Sequence, residues 1–174
     1  MNYASGVLIL SWHKGSLYCL LGKDHYDTYS DFGGKSEYND LGSSIKTASR
    51  ELFEETCGIF EDFSILMNTL ENCQVINSLS YTNKPYYMYI LFHELDIDLE
   101  CNFNYAYNYV KHIPKMNKFT EKQQIKWFSF ASVLNNEIPL RNVFATSIIK
   151  HKDNILKIAY KYMTTNNKYR NGRR

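Results

Sequence analysis

Proline is scarce in this chain, three in 174 residues, and no apolar run approaches the ~18 residues that would cross a membrane. The short stretch Val7-Leu8-Ile9-Leu10 near the start has no basic segment before it, which argues against a signal peptide. Cys19, Cys57, Cys73 and Cys101 lie far apart and form no C-x-x-C, so reduced thiols and a cytoplasmic setting are expected. The five histidines are equally scattered and lack the spacing of zinc ligands. Acidic residues stop at Asp153. Beyond it Lys157, Lys161, Lys168, Arg170, Arg173 and Arg174 are all positive, leaving 14 basic against 18 acidic residues before them. The body is mildly acidic and the end basic. No repeat, linker or low-complexity segment divides the chain.

What is present is the composition of a globular protein, 44% hydrophobic and 22% charged, long enough to build one real core. A single domain is expected over residues 1–164, with a basic, flexible tail over 165–174. Abundant Tyr, Asn, Lys and Ile suggest coding by an AT-rich genome, as in a parasite, an amoeba or a large DNA virus.

Residues 3–11 and 17–22 read as strands joined by a turn at His13-Lys14-Gly15, and 23–30 as a polar loop. Ser64–Leu70 and Cys73–Ser80 read as strands, and Tyr86–Leu95 as the strongest strand, paired with the one before it. Asn102–His112 is a short helix or a Tyr-lined loop. Ile125–Phe130 reads as a strand, Ala131–Leu134 as a helical turn and Asn142–Met163 as an amphipathic helix. Strands before and after a central helix, with a second helix at the end, make an α/β sandwich with a mixed sheet.

That central helix carries the chemistry. In Arg50-Glu51-Leu52-Phe53-Glu54-Glu55 three carboxylates fall within five residues, and helical geometry sends them into one arc of about 100°. Ile45, Ala48, Ser49, Leu52, Phe53 and Thr56 occupy much of the other side. Like charges so close repel by a few tenths of a kcal/mol per pair. A hard divalent cation turns that repulsion into binding, because Mg²⁺ takes a few carboxylate oxygens and keeps waters for substrate phosphates. Ser43 or Ser44 is the expected N-cap and Gly58 the expected stop.

With Gly33-Gly34-Lys35 before it, the stretch resembles the Nudix box, G-x5-E-x7-R-E-U-x-E-E-x-G-U, where U is aliphatic. The resemblance extends to Nudix proteins of large DNA viruses. Arg50 to Glu55 match the second half residue for residue. The departures are two extra residues between Gly34 and Arg50, Gly42 where an acid is expected, and the extra Cys57 before Gly58-Ile59. With Leu41-Gly42 as the extra pair, Asp40 takes the acidic place; Glu37 is the other candidate.

The resemblance implies a Nudix-like α/β/α sandwich over about residues 3–163. It also implies a divalent-metal-dependent pyrophosphohydrolase acting on a nucleoside diphosphate linked to another group. Glu51, Glu54 and Glu55 would hold Mg²⁺ or Mn²⁺, joined by the backbone carbonyl of Gly34, with Arg50 orienting a neighbouring carboxylate. Glu121, six residues before Trp127, is the candidate base, and Glu54 or Glu55 its substitute. Lys35 is expected to reach a phosphate. Phe32 and Tyr29 are the leading candidates to hold the substrate's nucleobase, with Tyr26, Tyr105, Tyr107 and Tyr109 behind them. His93, inside an apolar strand, reads as structural. The basic tail leans the expected substrate toward an mRNA cap or RNA 5′ end. Small nucleotides, inositol pyrophosphates and a non-catalytic nucleotide- or RNA-binding module are the alternatives.

Overall fold

The computed structural model describes residues 3–171, with side chains through residue 165. Strand Ala4–His13 (β1) is buried along nearly its whole length. Alternation along a strand sends Val7 and Ile9 to one face and Leu8 and Leu10 to the other, and each pair belongs to a different core. A strand apolar on both faces needs a helical layer on each, and the chain supplies them.

Ser16–Asp24 (β2), Tyr29–Ser30 (β3) and Phe32–Lys35 (β4) follow, then helices Ser44–Glu55 (α1) and Phe63–Leu70 (α2). Next come Gln74–Leu79 (β5), Pro85–Phe92 (β6), helix Asp98–Val110 (α3), Lys122–Ser129 (β7), Phe130–Leu134 (α4) and Asn142–Asn171 (α5). β1 runs antiparallel to β2 and β4 and parallel to β6, from Ala4 opposite Tyr86 to Leu10 opposite Phe92. β5 closes that edge as a hairpin with β6, and β7 pairs β2. The sheet is mixed, as expected. Ala48 and Leu52 of α1, Leu66 and Leu70 of α2, and Leu99 and Phe103 of α3 fill the core on the Val7 face. Phe130 and Val133 of α4 and Phe144, Ile148, Ile155 and Ala159 of α5 fill the other. Full burial of Ile148 and Ile155 alone contributes about 3–6 kcal/mol.

Two expectations need correction. Ser64–Leu70 is not a strand but part of α2. Its apolar Ile65 and Met67 look like strand alternation, yet Ile65 is exposed while Leu66 and Leu70, one helical turn apart, are buried. The Leu66 N–H donates to the Asp62 carbonyl at 2.9 Å and starts the helix. Residues 23–30 are not a plain loop. β2 runs to Asp24, and β3 and β4 are short strands recruited by β2 and β1, partners that no local pattern announces.

Of Asn102–His112, the residues through Val110 are helix, within α3, and Lys111 and His112 form the turn after it. His93 follows β6 and packs its ring 4.7 Å from that of Phe60, a structural contact. α5 begins at the expected Asn142 and continues to Asn171. The basic tail expected over 165–174 lies, from residue 166 for its side chains and from 172 entirely, outside the described residues. No helix among the described residues is long and apolar enough to cross a membrane.

Candidate metal and phosphate site

The inserted residues flank α1 without disturbing it. Leu41 and Gly42 both take left-handed backbone (φ 52° and 82°), between the 3-10 turn Tyr38–Asp40 and the cap Ser43. Ser43 Oγ accepts from the Lys46 N–H at 3.3 Å. The extra pair is thus spent at the surface, where Leu41 is exposed, and Asp40 turns inward. At the far end Cys57 (φ 55°) donates its N–H to Glu54 O at 3.1 Å, and Gly58 N–H reaches Phe53 O at 2.8 Å. This is a Schellman cap with the extra Cys in the left-handed place usually taken by Gly. The register of Arg50 to Glu55 survives both insertions.

Arg50 is the hub of the site. Its Nε and Nη2 grip Asp40 Oδ1 and Oδ2, each at 3.1 Å, in a two-pronged contact. Nη2 also donates to the Lys35 carbonyl at 2.9 Å, while Nη1 donates to Glu51 Oε1 at 2.9 Å and Glu54 Oε2 at 3.0 Å. Burial works against the guanidinium's charge, but the hydrogen bond to Asp40 and the charge of Glu51 hold its pKa above the usual value. Asp40 further accepts from Thr47 Oγ1 and the Glu37 N–H. Burial opposes its charge too, yet the Arg50 hydrogen bond keeps its pKa low. Between the two acids left open by the sequence, Asp40 is the one that clamps Arg50. Glu37, 3.7 Å from Arg50, is half-exposed and accepts instead from Lys118 Nζ at 2.6 Å.

Glu51 lies directly over β4. A Cβ at Gly34 would stand 2.5 Å from Glu51 Oε1, so only glycine leaves room there. Glu55 Oε2 accepts from the Gly33 N–H at 2.8 Å, and Glu55 Oε1 lies 3.5 Å from Lys122 Nζ. Burial pushes the Glu51 carboxyl up to about 7 and the Glu55 carboxyl up to about 8, against the pull of Arg50 and Lys122 respectively. Glu54 is raised as well, again chiefly by burial. The acidic face is therefore largely enclosed; Glu51 and Glu55 are only 8% and 4% exposed.

Glu121 ends the 3-10 segment Pro114–Thr120 and faces the same cavity, of about 520 Å³, as Arg50, Glu51, Glu54 and Glu55. Phe119 anchors that segment: its ring meets Phe53 edge-on at 5.8 Å, and its carbonyl accepts from Cys57 Sγ at 3.1 Å. The inserted cysteine thus helps hold Glu121 near α1.

The donors suit Mg²⁺ or Mn²⁺. They are hard carboxylate oxygens, crowded and partly dehydrated, beside a backbone kept bare by Gly34. Among the described residues no three His, Cys, Asp or Glu side chains already close around one point. Arg50 draws Glu51 and Glu54 toward itself, and Glu55 is turned to Gly33 and Lys122. Closing on an ion requires rotation of carboxylates that share this cavity.

The structure brings together Gly34, Lys35, Arg50, Glu51, Glu54, Glu55 and Glu121. Two expected substrate contacts fail. Phe32 is wholly buried in the core under α1, because β4 pairs with β1 and turns its ring inward. Tyr29 is 8% exposed, edge-on to Phe128 at 4.8 Å, with its hydroxyl donating to Gln124. Neither ring has a face left for a base. Tyr105 and Tyr109 are exposed on α3, and Tyr107 stacks on Phe103; none of the three lines the cavity.

Lys122 was not foreseen. In Thr120-Glu121-Lys122-Gln123-Gln124 it looks solvated, yet it is 1% exposed and donates to Ser30 Oγ at 2.7 Å. Its stem lies over Gly22, where a Cβ would meet Lys122 Cδ at 2.7 Å. The available signal was Gly22 inside a strand pattern, which marks a close approach.

No family model matches the chain, and no curated protein matches it. Solved structures do. The Nudix domain of Shewanella oneidensis NrtR complexed with ADP ribose aligns at a TM-score of 0.55 and 14% identity, over 88% of this chain and 87% of that one. A C. elegans Ap4A hydrolase binary complex aligns at 0.53 and 17%, over 88% and 98%. A bifunctional NMN adenylyltransferase/ADP ribose pyrophosphatase from Francisella tularensis, complexed with AMP and a Mn ion, aligns at 0.52 and 14%. It covers 87% of this chain and 41% of that one. The fold is an α/β fold of the mixed-sheet sandwich class. It is the Nudix fold.

Proposed function

We propose that this protein is a divalent-metal-dependent pyrophosphohydrolase cleaving the diphosphate of a nucleoside diphosphate linked to another group. One observation carries the reading: Glu51, Glu54 and Glu55 of α1 share a cavity with Glu121 from a distant segment, over the bare backbone of Gly33 and Gly34. A bound Mg²⁺ or Mn²⁺ supplies neutralisation of phosphate charge and activation of water. Glu51, Glu54 and Glu55 are the side chains that hold it, with the Gly34 carbonyl beside them. Arg50 keeps two of these carboxylates from splaying apart. Lys35 and Arg141, both exposed at the cavity wall, take phosphate oxygens. Glu121, exposed and opposite α1, accepts the proton of the attacking water.

Among substrates, ADP-ribose and diadenosine polyphosphates come first, since structural neighbours at comparable TM-score carry those ligands or activities in their names. An mRNA cap or RNA 5′ end is the finer reading, supported by the positive charge of Lys168, Arg170, Arg173 and Arg174. A panel of ADP-ribose, Ap4A, nucleoside triphosphates, inositol pyrophosphates and capped RNA, with Mg²⁺ or Mn²⁺, tests the class by the phosphate species released. Replacing those four basic residues by Ser should weaken binding to RNA ends and flatten its salt dependence; indifference rejects the RNA reading.

A non-catalytic nucleotide-binding role is the second reading, favoured by the grip of Arg50 on both Glu51 and Glu54. Calorimetry with Mn²⁺ separates the two, because this reading expects no metal binding that Glu54→Gln abolishes.

A further inference from the structure

Glu121 has firm support on one side only. The next residue, Lys122, is buried and donates to Ser30 Oγ at 2.7 Å, which fixes the start of β7. The 3-10 segment before it, Pro114–Thr120, buries no side chain, and Met116 interrupts it with non-helical backbone (φ −108°, ψ 26°). A segment without core contacts opens at low free energy unless other contacts tie it down. The place of the Glu121 carboxylate therefore depends on what holds residues 114–120.

Among the described residues, two hydrogen bonds tie this segment to distant parts of the chain. Lys118 Nζ donates to Glu37 Oε1 at 2.6 Å, ahead of α1. Cys57 Sγ donates to the Phe119 carbonyl at 3.1 Å, past the end of α1. Between these anchors the Phe119 ring meets Phe53 edge-on, and Lys118 lies 3.9 Å from Glu54. The segment is thus fastened across α1 from its entry to its exit. Both anchors sit where the chain departs from the box pattern. Asp40 takes the two-pronged contact with Arg50, which leaves Glu37 to meet Lys118. Cys57 is the residue added before Gly58. A half-exposed ion pair and a thiol donor add little to global stability. Geometry is another matter, because a base must stay within hydrogen-bond reach of the water it serves.

Resting on the pyrophosphohydrolase reading, we infer that Glu37 and Cys57 are positioning residues. Through Lys118 and Phe119 they clasp the 114–120 segment across α1 and hold the Glu121 carboxylate at the cavity it shares with Glu51, Glu54 and Glu55. In this role neither residue takes a proton or holds an ion.

Amide hydrogen exchange of the full chain, in EDTA, reads the clasp without any turnover. Glu37→Gln and Cys57→Ala together should speed exchange over residues 114–121 on the order of tenfold, with α1 and β7 unchanged. Cys57→Ser, which keeps a donor at that place, should behave as the unaltered chain. Hydrolysis with Mg²⁺ reads the consequence. The paired variant should lower kcat on the order of 10–100-fold, the scale of misplacing a catalytic group by about 1 Å. KM and the calorimetric Mn²⁺ affinity should hardly move. In a Glu121→Gln background the same pair should leave kcat nearly unchanged, because no base remains to be positioned. Unchanged exchange over 114–121, or the full kcat loss repeated in the Glu121→Gln background, overturns the inference. If exchange responds as expected and the unaltered chain hydrolyses no diphosphate, the clasp stands and the pyrophosphohydrolase reading falls. If the unaltered chain hydrolyses its substrate and the paired variant matches its kcat, the reading stands and the inference falls.

Discussion

The ammonium of Lys122 lies 3.5 Å from the carboxylate of Glu55, and both side chains are almost wholly buried. They come from strand β7 and helix α1, 67 residues apart in the chain. A buried charge is tolerated only when paired, so each makes the other possible.

Lys122→Met should therefore destabilise the protein, by about 1–3 kcal/mol, because the Glu55 carboxyl, already pushed up to about 8 by burial, answers the loss of its partner by keeping its proton while the hydrogen bond to Ser30 is lost. Adding Glu55→Gln should restore part of that loss, since a neutral pair needs no countercharge. Urea unfolding of the two single variants and the double variant measures this. Additive losses would show that the two residues are not coupled.

Glu54→Gln and Glu55→Gln should each lower Mg²⁺-dependent turnover by orders of magnitude, with circular dichroism unchanged. Turnover equal to that of the unaltered chain would reject the metal assignment for that residue. Glu121→Gln should lower kcat by about 10²–10⁴-fold with smaller change in Mn²⁺ affinity, as expected of a base rather than a ligand.

Asp40→Ala should cost about 2–4 kcal/mol, because it leaves the partly buried Arg50 without its two-pronged partner. Glu37→Ala, which breaks contacts of an exposed pair with Lys118, should cost less than about 1 kcal/mol. Denaturation midpoints decide between them, and equal losses would return Glu37 as an equal partner of Arg50.

Asp31 makes a pH prediction. Burial raises its carboxyl to about 6 from 3.8, against the hydrogen bond from Tyr86 and the charges of Lys122 and Arg141. The folded state thus keeps the proton that the unfolded chain releases. The Asp31 contribution is full below pH 4 and falls as pH rises to about 6, a loss of about 3 kcal/mol. Asp31→Asn removes that dependence. Between pH 4 and pH 7 its stability should gain on the unaltered chain by about this amount, read by urea unfolding at each pH. A difference that does not change with pH would contradict the assignment.

By itself the sequence determined what depends on neighbours a few residues away. The spacing of Glu51, Glu54 and Glu55 puts them on one side of a helix whatever packs behind it, and Ala48 and Leu52 name the face that packs. Ser43 as cap, the 13–15 turn, the β5–β6 hairpin and α5 are equally local. The tertiary structure decided whatever needs a partner far along the chain. Asp40 prevailed over Glu37 because a left-handed Leu41-Gly42 pair turns it inward onto Arg50. Phe32 and Tyr29 went to the cores because their short strands were recruited by β1 and β2. Residues 64–70 became helix because one turn of spacing buries Leu66 with Leu70. Lys122, polar in every local sense, is buried because Gly22 leaves room for its stem and Glu55 awaits its charge.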